Sequence, residues 1–335
     1  MQKNWYRLDT AALIFPAVAR RDWCNAFRLS ATLTEEIDPE ILQRAVDDTR
    51  RRFPFYFVTL RRGVFWYYLE ESGRQVRVRR DYAYPLAFMS RRELKQNCLR
   101  VLYHKNRVAV EFFHSLTDGR GGSVFLATLT ARYLELRYGI EVPREGPIRA
   151  LDEDPTPAEL EDSFLKNAAE TAAGRKEERS YRLRGTRTEK GFRILTTGVI
   201  ETQALLEAAH RYHATVTVFL AAVMTECVIA MQEREAPRRK RPVKITIPVD
   251  LRRLYGSETL RNFSLVLNVG ADPRYGGYSL EELCVMIGHQ LAIGATPQNM
   301  AGMIAANVQP QRIIALRLAP SFLKNLVMDA VYRRS

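Results

Sequence analysis

The stretch that most restricts the fold runs from Arg107 to Tyr138. Arg107 to Phe113 (RVAVEFF) has the β-branched and aromatic makeup of a strand. Without a spacer the chain enters His114-Ser115-Leu116-Thr117-Asp118-Gly119. It then takes glycines at 121 and 122 and continues with helical spacing from Val124 to Tyr138. A strand that passes through a glycine-rich turn into a helix belongs to an α/β architecture, and strand ends are where rigid scaffolds present reactive side chains.

The surrounding chain supplies the rest of such a fold. Ala26 to Leu33 reads as a strand. A helix follows, with Asp38 as N-cap, Pro39 at its first position, and Ile41, Leu42, Ala45, Val46 and Thr49 on one face, until Phe53-Pro54 stops it. Two hairpins come next. Phe55 to Leu60 pairs with Val64 to Leu69 around Arg61-Arg62-Gly63, and Leu99 to Tyr103 pairs with Arg107 to Phe113 around His104-Lys105-Asn106. Residues 141–190 are proline-rich and then charged, and read as a linker carrying one short helix. Strand-then-helix order resumes with a strand over Phe192 to Ile200, a helix from about Thr202 to Tyr212, an apolar core helix from Val216, and a buried strand over Val243 to Val249. Ser279 and Glu282 form a capping box ahead of a helix lined by Leu280, Leu283, Ile287 and Leu291. Phe322 to Arg334 has amphipathic helical spacing.

At 335 residues the chain exceeds what one hydrophobic core usually supports. The expectation is therefore two lobes, residues 1–140 and 191–335, joined by the linker at 141–190. No basic-then-apolar leader opens the sequence, and the four cysteines (Cys24, Cys98, Cys227, Cys284) show no C-x-x-C pairing, which points to reduced core thiols and a cytoplasmic protein. The net charge of +13 comes from small groups such as Arg50-Arg51-Arg52, Arg77-Arg79-Arg80 and Arg238-Arg239-Lys240-Arg241. They form no stripe and flank no nucleic-acid motif, so no nucleic-acid partner is expected; a solvated surface or attraction of a phosphate-bearing cosubstrate remain as readings. His210 and His213 lack a carboxylate or cysteine to complete a metal set, and no metal or permanently bound cofactor is expected.

His-x-x-x-Asp-Gly is a specific signal. Across five histidines, an Asp four residues on and a Gly five on arise by accident roughly 0.02 times at ordinary usage. The motif resembles that of chloramphenicol acetyltransferase-like, CoA-dependent acyltransferases, including plant hydroxycinnamoyl-type transferases, peptide-synthetase condensation domains and bacterial alcohol acetyltransferase-like proteins. The runs Trp5-Tyr6-Arg7-Leu8-Asp9, Pro248-Val249-Asp250-Leu251-Arg252 and Arg261-Asn262-Phe263 are most similar to the last group. Three departures stand out: Phe113 replaces the doubled histidine of condensation domains, no Asp-Phe-Gly-Trp run is present, and the chain stops at Ser335.

The resemblance implies an α/β (α+β) two-layer sandwich of two chloramphenicol acetyltransferase-like lobes, the second incomplete at the C-terminus, with His114 on a channel between them. It implies acyl-CoA as cosubstrate and an alcohol or amine as acceptor. His114 would be the general base, a task suited to neutral imidazole, in direct transfer without an acyl-enzyme. Asp118 would face away from substrate and orient the histidine loop, with Arg252 as its partner, and Gly119 would give the motif its backbone freedom. Other readings stay open: Asp118 as a simple helix N-cap, Arg252 as a surface residue or a substrate-binding one, Asn262 as a channel or strand-edge residue, and Gly121-Gly122 as a loose turn or a close approach. At the level of function, the alternatives are a condensation-type domain fed by an acyl carrier protein and an inactive partner-binding relic. The early stop suggests self-association or a companion segment.

Overall fold

The computed structural model is described for residues 4–335 except 21–22, 173, 175–176, 187, 190–191, 193, 314–318, 322, 326 and 329–335. The first half contains β1 (Trp5–Arg7), α1 (Phe15–Val18), β2 (Ala26–Thr32), α2 (Pro39–Arg52), β3 (Val58–Arg62), β4 (Tyr67–Glu71), β5 (Val78–Arg80), α3 (Arg91–Leu94), β6 (Leu99–His104), β7 (Arg107–Phe113) and α4 (Gly119–Tyr138). Then come α5 (Pro157–Leu160), α6 (Ser163–Lys166), α7 (Thr202–Arg211), α8 (Val216–Glu235), β8 (Val243–Asp250), α9 (Arg252–Tyr255), β9 (Ser264–Ala271), α10 (Leu280–Gly294) and α11 (Pro297–Arg312).

The local reasons are legible. The Asp38 carboxylate accepts from the Glu40 and Ile41 amides, and Pro39 sits in the first turn of α2. Ser279 and Glu282 cap α10 reciprocally. Lys105 adopts φ +49° in the two-residue turn that joins β6 to β7. The first half builds a sheet of order β2-β7-β6-β5, antiparallel except where β5 meets β6, and a smaller sheet of order β1-β4-β3. Both sheets and helices α2 and α4 enclose one core, in which Phe53, Tyr56, Phe57, Phe112 and Phe125 are fully buried. In the second half β8 pairs antiparallel with β9, and the pair packs against α8 and α10. A third cluster joins α6, β9 and α11 through Phe164, Phe263, Met300 and Ile304.

Several expectations are corrected. The first hairpin is β3–β4, with its second strand starting at Tyr67, because Gly63 closes a turn onto the Trp66 carbonyl. Among the described residues the stretch at 141–190 holds two short helices, and Phe164 of α6 is fully buried, so α6 is docked. The expected strand over 192–200 does not form among the described residues, where Ile194, Leu195, Val199 and Ile200 are exposed. β8 is not buried throughout: Thr246, Pro248 and Asp250 face solvent. Cys24, Cys98 and Cys284 are buried thiols, but Cys227 is exposed on α8. Much of the amphipathic stretch at 322–334 lies outside the described residues.

Candidate active site

β7 ends where its pairing with β2 ends, at Phe113 opposite Ala26, and His114 is the next residue. Its amide donates to the Asn25 carbonyl at 2.9 Å. Asn25, held at φ +48°, also donates its side-chain amide to the Phe15 carbonyl at 3.0 Å. The imidazole is half-buried. It stacks on Phe15 at 4.5 Å between centroids and leans on Phe27 at 5.0 Å. Two aromatic faces thus fix the ring plane, and one hydrogen bond fixes its rotation: Nδ1 lies 3.1 Å from Oδ1 of Asn262.

The orientation of the Asn262 amide decides which nitrogen carries the proton. Its Nδ2 donates to Asp9 Oδ2 at 3.0 Å and to the His114 carbonyl at 3.1 Å. With both donors committed, Oδ1 faces the ring as an acceptor. The neutral imidazole therefore carries hydrogen on Nδ1 and leaves the Nε2 lone pair free. Asp9 is fully buried, and its other oxygen accepts from the Ala12 amide at 2.8 Å. Burial pushes the Asp9 carboxyl above the usual carboxylate range, against the pull of Arg261 and Asn262.

Asp118 lies beneath the motif, 3% exposed, and does two jobs at once. It caps α4, Oδ1 accepting from the Gly121 amide at 3.2 Å, and it forms a two-pronged ion pair with Arg252, each contact 3.0 Å. Oδ2 also accepts from the Phe263 amide at 2.9 Å. The remaining Arg252 donors go to the Asp250 carboxylate and the carbonyls of Thr259 and Arg261. Every guanidinium N–H of Arg252, expected as a substrate-binding residue, is thereby engaged within the protein. Asn262, expected with it, is 2% exposed, and its side-chain amide meets Asp9 and His114. Gly119 opens α4 without a positive φ and with nothing within 4 Å of an added Cβ, so the backbone freedom expected of it is not used.

The glycine that matters is Gly121. A Cβ there would sit 2.2 Å from both the Leu260 carbonyl and the Thr117 hydroxyl. The Leu260 carbonyl also accepts from Thr117 Oγ1 at 2.6 Å and from the Tyr56 hydroxyl at 2.8 Å. Burial drives the Tyr56 phenol above its ordinary range, which keeps it a donor. The second-half segment 259–263 therefore threads against the first turn of α4 and carries Asn262 to His114. A cavity of about 840 Å³ is lined by Trp5, Leu8, Leu13, Trp66, Tyr67 and Gln311, and His114 is not among its lining residues.

The structure thus gathers His114, Asp118, Arg252 and Asn262 into one assembly. Sequence reasoning missed Asp9 as the buried anchor of Asn262, and also missed Phe15, Asn25 and Tyr56. Asp9 had a signal, since it closes the Trp5-Tyr6-Arg7-Leu8-Asp9 run.

No family model and no curated protein matches the chain at the sequence level. Solved structures do match in fold. Polyketide synthase associated protein 5 from Mycobacterium tuberculosis aligns with a TM-score of 0.58 at 16% identity, over 89% of this chain and 76% of that one. TRI101 of F. sporotrichioides, complexed with coenzyme A and T-2, aligns with a TM-score of 0.59 at 10% identity, over 94% and 79%. The first condensation domain of the calcium-dependent antibiotic synthetase aligns with a TM-score of 0.56 at 15% identity, over 88% and 76%. The chain thus has the mixed α/β, two-lobed fold of these structures.

Proposed function

We propose that the chain is an acyltransferase that moves an acyl group from a CoA thioester to an alcohol or amine, with His114 as general base. The observation that carries this reading is the imidazole held between two aromatic rings, its Nδ1 facing Asn262 and its Nε2 left free. A neutral base with one nitrogen committed and the other free is what proton abstraction from an acceptor needs. In the proposed step the acceptor proton passes to Nε2 as the acceptor oxygen or nitrogen bonds to the thioester carbonyl carbon. The carbon–sulfur bond then breaks, and the departing thiolate takes the proton back. Asn262 and Asp9 hold the ring, while Asp118 and Arg252 hold the loop and the segment that bears Asn262. The likeness to a condensation domain supports a second reading, in which a carrier protein presents the donor.

The test is thiol release from acetyl-CoA, and from an acyl carrier-protein thioester, against a panel of alcohols and amines. Replacing His114→Ala should cut the rate by about 10²–10⁴-fold in a chain that stays folded at the assay temperature. Asn262→Ala should lower kcat by about 10–100-fold with little change in KM, as the loss of an orienting partner does. Release undiminished in His114→Ala would overturn the base assignment. No release from either donor by the intact chain would favour an inactive, partner-binding protein.

A further inference from the structure

Some of the buried or cleft-lining arginines of this protein have acid partners. Arg28, Arg100 and Arg107 share Asp81, Glu93 and Glu111, and Arg274 holds Asp272 and Glu178. One cleft gathers five arginines around a single carboxylate. Arg182 and Arg184 from the segment before α7 face Arg238, Arg239 and Arg241 from the α8–β8 loop, around a cavity of about 520 Å³. Among the described residues Glu235 is the one carboxylate in its lining, and no carboxylate forms an ion pair with any of these five arginines. The nearby acids are engaged elsewhere: Glu233 with Lys240, Glu177 with Lys244, and Glu178 with Arg274.

Chance clustering of surface cations would leave the cleft unbuilt, yet its backbone is fixed. The fully buried Gln232 grips Arg241 twice, accepting from its amide at 2.7 Å and donating to its carbonyl at 3.0 Å. The Tyr181 amide donates to the Pro242 carbonyl at 2.8 Å, tying the two arginine-bearing segments together. Ala236 ends α8 in the left-handed region at φ +42° and turns the chain into the loop. The α8 C-terminus favours cations, but a helix end carries only about half a charge. That does not account for five guanidiniums brought into one cleft.

The geometry points to a second binding site, for a small molecule carrying a pyrophosphate group. Guanidinium forks match phosphate oxygens in pairs, and a cleft lined by several of them suits a multiply charged anion better than a single carboxylate. The site lies at the Val243 end of β8, whereas Asp250, which contacts Arg252, lies at the other end. That separation is roughly 24 Å at strand rise, so the cleft does not contact the reacting atoms. Binding there does not depend on the acyl-transfer reading.

The experiment is calorimetric titration of the intact chain with inorganic pyrophosphate at ~0.15 M salt, repeated with coenzyme A. The variant is Arg182→Gln/Arg239→Gln, and the control is Arg51→Gln/Arg91→Gln, which removes the same charge elsewhere. Pyrophosphate should bind the wild type and the control alike, and bind the cleft variant at least about tenfold more weakly. All three proteins should melt at the same temperature, because the substituted arginines are exposed. If coenzyme A weakens in parallel, the site upholds a grip on that donor; if only pyrophosphate weakens, it upholds a site for a different phosphorylated molecule. Absence of pyrophosphate binding to the wild type, or equal weakening in the control, would overturn the site.

Discussion

Asp118 accepts four hydrogen bonds from groups far apart in sequence: the Gly121 and Phe263 amides and two Arg252 nitrogens. Asp118→Asn turns one acceptor oxygen into a donor and leaves the buried Arg252 with only the partly exposed Asp250 as counter-charge. The expected loss is about 3–5 kcal/mol, the usual consequence of breaking a buried pair from one side. Urea unfolding checks it, and Asp118→Asn combined with Arg252→Met should lose less than the two singles added together. A loss below about 1 kcal/mol for the single variant would mean the pair does not brace the site. The motif showed in the sequence because Asp and Gly recur at fixed offsets from His114. The role of Asn262 did not, because its meaning lies in Asp9 and His114, which are adjacent only in space.

Among the elements, α4 shows how a glycine run can be read in two ways. Glycines 119, 121 and 122 suggested a turn, yet they form the first turn of the helix, begun by the Asp118 cap. Two substitutions separate the positions. Gly119→Ala meets nothing and should keep activity while gaining up to about 1 kcal/mol from helix propensity. Gly121→Ala drives a methyl group into the Leu260 carbonyl, so the 259–263 segment must shift. It should cost about 1–3 kcal/mol and should also reduce transfer, because Asn262 moves with that segment. Thermal melts and rates of both variants check this, and equal behaviour would refute the close approach. Capped helices and tight hairpins were legible because their signals are local. The 192–200 stretch was misread because β-rich composition does not supply the neighbouring strand that a ladder requires.

The 141–190 stretch is clamped to the first lobe by a buried ion pair. Arg52, at the end of α2, meets Glu159 of α5 at 2.6 and 2.9 Å, both side chains almost wholly buried. Burial pushes the Glu159 carboxyl up, but Arg52, the Thr156 amide and Arg149 outweigh it and hold it below the usual range. A lowered folded value makes this contribution complete above the ordinary carboxylate pKa and loses it as pH falls through the folded value. Glu159→Gln should therefore melt lower than wild type at neutral pH, and the gap should narrow below about pH 4. A gap that is constant across that range would exclude the ionised pair as its source. Two-lobed architecture could be inferred from length and strand–helix order, but the docking of 141–190 could not, since its buried anchors Glu159 and Phe164 sit among prolines and charges. The contacts that complete the site join residues 134 to 253 positions apart, from Asp118 and Arg252 to Asp9 and Asn262. During synthesis the first lobe emerges with His114 long before Asn262 exists. Asp118 can cap α4 in that interval, yet the imidazole has nothing to set its tautomer. The nascent chain thus carries the motif in an unfinished state, and the assembly closes only when the last long-range loop is formed, which makes it a late event in folding.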